Sequence, residues 1–332
     1  MKRRRFLRVI GAGAGMAGLS AGGLPSALAL PKQPAQFHQW TGVALGADAN
    51  IQIHHRDPEF SELVLKACMA EIELCENMFS LHNNASVLSR LNKSGKIEQA
   101  PNAFIELLET SKEFFTGTAG HFDPSVQPLW HAYKDCVGSG AVNVGLLHER
   151  VSEARCLIGY ERVRLGEGSV ALQPGMALTL NGIAQGFLAD RVTKVLRRHG
   201  IKSALVETGE TYGLGVYPSD REWQLGIPSP VSPVLSYTVS LNNRALATSS
   251  PAGTIFDPEG RYHHLFNPHD GMCADGFASI SVSAPSAAMA DALSTAFASM
   301  PLRLIRGTVR RMPDVGVYLL DPQGGAKRLG RV

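Results

Sequence analysis

Four short segments of this chain carry residue types that could do chemistry together. Ala290-Asp291-Ala292-Leu293-Ser294-Thr295-Ala296 sets a carboxylate and a hydroxyl four residues apart, on one helical face with small neighbours beside them. Two hard oxygen groups so placed suit Mg2+, which keeps several waters and takes substrate phosphates as ligands. The same residues also fit a capped helix start followed by a hydroxyl bonded back to its own helix. His263-His264-Leu265-Phe266-Asn267-Pro268 sets two histidines side by side. In a strand they point to opposite faces, so only one can face a site, where it could act as a general base near neutral pH. Even with His269 added, the spacing is not that of a zinc site. Thr179-Leu180-Asn181-Gly182-Ile183-Ala184-Gln185-Gly186 runs from a strand through a glycine turn into a helix start. Backbone N–H groups there can hold a phosphate, although tight helix–sheet packing would ask for the same glycines. Gly120-His121-Phe122-Asp123-Pro124-Ser125-Val126 reads as a turn and cap that either opens a short helix or presents a carboxylate at a cleft edge.

The elements that must position these groups follow from periodicity. Val43 to Ile53 alternates as a strand beside a glycine turn. Residues 57–79 place Leu63, Leu65, Ala67, Met69, Ile72, Leu74 and Met78 at near-helical spacing, and 101–116 form a second helix around Phe104, Leu107, Leu108 and Phe114. Ser80 to Asn92 is polar, and Val137 to Gly145 is turn-rich. Two short strands are expected within 163–180, and a helix over 182–199 stopped by Gly200. Strands are expected at 204–206, 222–227, 235–241, 245–248, 280–284 and 315–320, with a helix over 287–300. Strands and helices mix without strict βαβ alternation, which predicts an α+β fold, a single globular unit with room for two lobes.

The first thirty residues stand apart. Arg3-Arg4-Arg5-Phe6-Leu7 precedes a Gly/Ala-rich apolar stretch and then Ala27-Leu28-Ala29, a small-x-small cleavage signal. Residues 1–29 therefore read as a twin-arginine-type secretory signal, and 30–332 as the folded domain of a periplasmic protein. The apolar stretch is only mildly hydrophobic, short of the roughly 20 strongly apolar residues of a spanning helix, so no stable membrane insertion is expected after cleavage. The chain has 32 basic and 29 acidic side chains. Lys2, Arg3, Arg4, Arg5 and Arg8 leave with the signal, so the mature chain turns slightly acidic and offers no basic surface for nucleic acid. Cys68, Cys75, Cys136, Cys156 and Cys273 match no metal or redox spacing. Cys68 and Cys75 lie two helical turns apart, about 10 Å, too far for a disulfide. Most of the five read as buried small hydrophobes.

Taken together and in this order, from about Gln39 to Leu320, these segments resemble the ApbE family of FAD:protein FMN transferases. Phe79-Ser80-Leu81-His82 with Ser86 to Asn92, Gly120 to Pro124, Thr179 to Gly186, Ala247-Thr248-Ser249, His264 to Pro268 and Asp291 to Ala296 match six family motifs in register. The resemblance implies a reaction in which Mg2+ bridges the FAD pyrophosphate, a Thr or Ser hydroxyl of an acceptor flavoprotein attacks the FMN phosphorus, and AMP leaves. It further implies that Asp291, Thr295 and the Gly182 carbonyl hold the metal and that His264 takes the hydroxyl proton. Leu45, His82, His121, Phe122, Asp123, Thr179, Gln185 and Leu265 would line FAD.

Thr179 and Gln185 stand where the family usually has Asp and Lys, a paired change that preserves local charge balance. Asn267 replaces Asp, His82 replaces a common Tyr, and Glu207-Thr208-Gly209-Glu210 replaces Asn-Leu-Gly-Gly. These forms, with Gln127-Pro128-Leu129-Trp130 and the export signal, are similar to the NosX branch, which serves the flavoprotein NosR of nitrous-oxide respiration. Two other roles use the same residues: Mg2+-dependent hydrolysis of FAD by water, and non-catalytic FAD carriage. AMP release separates the carrier from both enzymes, and covalent fluorescence on an acceptor separates transferase from hydrolase.

Overall fold

The computed structural model describes residues 8–9, 36–138, 142–228 and 235–331. The signal-peptide reading of residues 1–29 lies outside them apart from Arg8 and Val9.

Alternation of apolar and polar residues builds one eight-stranded sheet. Its strands are β1 (Gln36–Ala44), β2 (Ala47–His55), β3 (Ala204–Thr208), β4 (Thr211–Leu214), β5 (Arg244–Ser249), β6 (Ser279–Ala284), β7 (Gly316–Leu320) and β8 (Ala326–Gly330). Each strand lies beside the one before it in the chain, antiparallel throughout. Period two divides the side chains between faces. Ala245 and Ala247 of β5, Ile280, Val282 and Ala284 of β6, and Val317 and Leu319 of β7 enter the main core beneath the helices. Leu205, Leu246, Tyr318 and Leu320 point the other way, under a hairpin formed by Trp223–Pro228 and Leu235–Leu241.

The helices are α1 (Pro58–Phe79), α2 (Val87–Ser94), α3 (Asn102–Gly117), α4 (Gln127–Val137), α5 (Val144–Arg155), α6 (Ala184–Arg198), α7 (Ala287–Ser299) and α8 (Leu302–Arg311). Asp57 caps α1 by accepting the Phe60 N–H, and Pro58 opens its first turn. Gly200, in the left-handed region, stops α6 while the Ile201 N–H returns to the Leu196 carbonyl. α4 and α5 form a satellite core with Phe266, through Leu129, Tyr133, Leu147 and Val151.

The α+β class and the single globular unit agree with the sequence reading. Several local expectations are corrected. The run Val43–Ile53 is a hairpin rather than one strand, turning at Leu45 and Gly46, both at positive φ. The polar stretch after Ser80 holds α2, because the Ser86 hydroxyl accepts the Ser89 N–H and bury-able Val87, Leu88 and Leu91 follow. The two short strands expected within 163–180 form as Arg164–Gly166 paired with Ser169–Ala171, both before residue 172. All five cysteines are free, but only Cys68 and Cys75 are buried. Burial pushes both thiols up to about 12. Among the described residues no helix is long and apolar enough to cross a membrane.

Candidate active site

Because all eight strands alternate in direction, the start of β2, the β3–β4 turn and the end of β5 fall on one edge of the sheet. There they meet the starts of α6 and of the 250–278 loop. The result is a cleft lined by Ala47 and Asp48, by Glu207, Gly209 and Glu210, and by Thr248, Ser249 and Ser250. His121–Pro124, Val126 and Trp130 close one side, and Gly253, His264–Phe266 and Pro268 cover it.

The floor is the seam between α6 and α7. A Cβ on Gly186 would stand 2.2 Å from the Ala287 carbonyl oxygen, so only glycine lets the two helices approach this closely. Two carboxylates clip the seam reciprocally. Asp291 on α7 accepts the Gly186 N–H of α6 at 3.0 Å. Asp190 on α6 accepts the Ala287 and Ala288 N–H groups, the orphan donors at the start of α7, at 2.8 and 2.9 Å. One turn after Asp291, the Thr295 hydroxyl lies 3.5 Å from the Gly182 carbonyl and 3.5 Å from Ser249 Oγ. A Cβ on Gly182 would meet that hydroxyl at 2.8 Å, so Gly182 permits the approach. Carboxylate, hydroxyl and backbone carbonyl thus converge from residues far apart in the chain. An all-oxygen donor set of this kind fits a hard cation such as Mg2+. Among the described residues no group of three or more His, Cys, Asp or Glu is placed to hold a metal ion.

Burial pushes the Asp190 carboxyl up to about 6, against the pull of the two amides. A carboxyl raised in the fold favours folding in its protonated form. That contribution is fully present below about 4, the unfolded value, and is lost as pH rises through about 6. Asp190→Asn is therefore expected to flatten the dependence of Tm on pH across that window; parallel curves for variant and wild type in melts from pH 4 to 7 would refute it.

His264 has its tautomer set by the backbone. Its Nδ1 lies 3.2 Å from the Thr254 carbonyl, which can only accept, so Nδ1 carries the hydrogen and Nε2 the lone pair of the neutral ring. Its neighbour His263 is buried, faces away from the cleft and accepts the Leu265 N–H, and burial lowers its pKa. Asp123 caps the short 3-10 turn Pro124–Val126, accepting from the Ser125 N–H and hydroxyl at 2.7 and 2.6 Å. Its burial pushes the carboxyl up. His121 sits 3.1 Å from Ser299 Oγ and edge-on to His269. Burial, and then His269, lower its pKa.

The structure brings His121, Phe122, Asp123, Thr179, Gly182, Gln185, His264, Leu265, Asp291 and Thr295 to one cleft. Leu45 lies at its rim, where its carbonyl is 3.5 Å from Gln185 Nε2. His82 is outside the lining, against the β1–β2 turn at Gly46. Sequence reasoning passed over Glu210 as a site residue. It is a buried carboxylate in the cleft that accepts the Thr248 N–H at 3.2 Å. Its signal was a pair of acids, Glu207 and Glu210, flanking Gly209 at a strand end. Asp48 and Trp130 were also missed, each being an ordinary member of its strand or helix until the fold turns it into the cleft.

A meandering sheet with this seam beneath one edge is an architecture shared with solved flavin transferases. The fold matches the ApbE protein of Thermotoga maritima with a TM-score of 0.77 at 24% identity, over 89% of this chain and 97% of that one. It matches the flavin transferase ApbE of Vibrio cholerae with a TM-score of 0.76 at 21% identity, over 89% and 97%. In sequence the chain is 27% identical over 309 residues to the FAD:protein FMN transferase of Treponema pallidum, covering 84% of this chain and 83% of that one. The model of the ApbE family matches residues 45–319. This chain belongs to the ApbE family.

Proposed function

We propose that this protein is an FAD:protein FMN transferase that moves FMN from FAD to a Thr or Ser hydroxyl of an acceptor flavoprotein, with release of AMP. The observation that carries the reading is the convergence of Asp291, Thr295 and the Gly182 carbonyl on the α6–α7 seam, beside a histidine whose Nδ1–H is committed to the backbone. Family membership and relatives of that name support it.

FAD enters as substrate, its pyrophosphate toward the oxygen cluster of Gly182, Asp291 and Thr295 in the cleft. Asp291, Thr295 and the Gly182 carbonyl would hold Mg2+, which supplies charge neutralisation to the pyrophosphate when bound. His264 Nε2 takes the proton of the acceptor hydroxyl. The hydroxyl oxygen forms the new bond to the FMN phosphorus, and the bond to the bridging oxygen breaks as AMP departs. Thr179 and Gln185 place neutral groups at the FAD site. The Glu207–Glu210 turn and the Gln127–Trp130 segment support the NosX branch, hence a NosR-like acceptor. The amino-terminal sequence supports periplasmic action after export and signal cleavage.

The test mixes the mature protein with FAD, Mg2+ and the flavin-accepting domain of a NosR-like protein, then reads a denaturing gel under ultraviolet light. A fluorescent acceptor band is expected from wild type and not from His264→Ala. AMP without a band would show hydrolysis, and FAD binding with neither band nor AMP would show a carrier; both sink the transferase reading.

A further inference from the structure

The two outer edges of the main sheet are defended very differently. β8 is five residues long and carries Lys327 and Arg328, both exposed, the usual deterrent to strand addition. β1 is nine residues long, Gln36 to Ala44, and has no charge and no proline. Its register against β2 runs unbroken from Gln36–His55 to Ala44–Ala47, so no bulge twists it away. Because the hairpin turns on two residues, Ala44 and every second residue before it bond to β2. The N–H and C=O groups of Val43, Thr41, Gln39 and Phe37 therefore point outward. These residues are exposed, Val43 at 64% and Phe37 at 51%, and among the described residues no strand pairs with them.

This edge leads to the cleft. β1 ends at the Leu45–Gly46 turn, whose Leu45 carbonyl faces Gln185 and whose next residues, Ala47 and Asp48, are cleft wall. We propose that the edge of β1 docks an extended segment of the acceptor protein by strand addition, delivering its hydroxyl residue to the cleft. The proposal rests on the transferase reading above. Strand addition gives affinity through main-chain hydrogen bonds and tolerates varied side chains. An antiparallel addition, continuing the pattern of the sheet, lays the residues that follow the acceptor hydroxyl along Val43, Thr41, Gln39 and Phe37.

Thr41→Pro tests it, removing one outward N–H without touching a bond to β2. Thr41→Lys is the second variant, keeping the N–H and adding an edge charge, should the proline disturb folding. Kinetics with the acceptor domain are expected to show its KM raised about ten-fold in either variant, as for loss of a main-chain bond or two. The KM for FAD and the Tm stay at wild-type values. An unchanged acceptor KM in both variants overturns the proposal. So does a change confined to sedimentation, which would assign the edge to a second copy of this chain. If wild type binds the acceptor but transfers nothing, the transferase reading falls, and the effect of Thr41→Pro on that binding still decides the edge.

Discussion

Asp291→Ala should lower the rate of FMN transfer by about a hundred-fold or more, the scale seen when one group that stabilises transition-state charge is removed. The carboxylate is 3% exposed and acts in two ways. It is the only anionic member of the oxygen cluster with Thr295 and Gly182, and it accepts the Gly186 N–H across the α6–α7 seam. Alanine loses both and leaves a buried N–H without that acceptor, so the variant also loses stability. Asp291→Asn separates the roles. Its side-chain oxygen can still accept from Gly186, so Tm should recover, while transfer stays low and the Mg2+ requirement rises. Near-wild-type transfer by the asparagine variant at the wild-type Mg2+ concentration would remove Asp291 from the metal site.

Gly186→Ala should cost about 3 kcal/mol or more, at the high end for overpacking a core. The added Cβ meets backbone rather than a side chain tip: the Ala287 oxygen at 2.2 Å, its carbonyl carbon at 2.5 Å and the Ala288 nitrogen at 2.8 Å. No rotamer change relieves that contact. The helices would have to separate, breaking the Asp190 bonds to Ala287 and Ala288 and the Asp291 bond to Gly186 together. Gly200→Ala is the control. Unlike Gly186 it stands at positive φ, but nothing lies within 4 Å of its Cβ, so only about 1 kcal/mol of backbone strain is expected. Denaturant melts of the two variants check the difference, and equal losses would show that the seam yields.

What the sequence made legible was local. Asp291 and Thr295 are i and i+4, so helical geometry alone put them on one face, and α7 does so. His263 and His264 were expected to face opposite ways, and they do, with His264 in the cleft. The approach of Gly182 to Thr295 spans more than a hundred residues, and no spacing rule reaches it; resemblance to a family supplied that pairing. The Asp190 clip was invisible for the same reason, since its partners are backbone amides of a distant helix start. The α5 and α8 helices were missed because short, charge-rich helices offer few apolar positions from which to read a period: the buried side chains of α8 are Ile305, Thr308 and Val309.

The order of the sheet along the chain has a consequence for how the molecule assembles. Six of the seven strand pairings in this sheet cross modest connections, but the pairing of β2 with β3 must wait for residues 56–203 to be gathered between them. Closing so long a loop before any contact rewards it is entropically costly, so this joint is expected to form late, after α1 and its neighbours have condensed. The cleft has walls on both sides of that joint, Asp48 on one and Glu210 on the other. Partly folded chains therefore lack a complete flavin site, and FAD recognises only molecules whose slowest seam has closed.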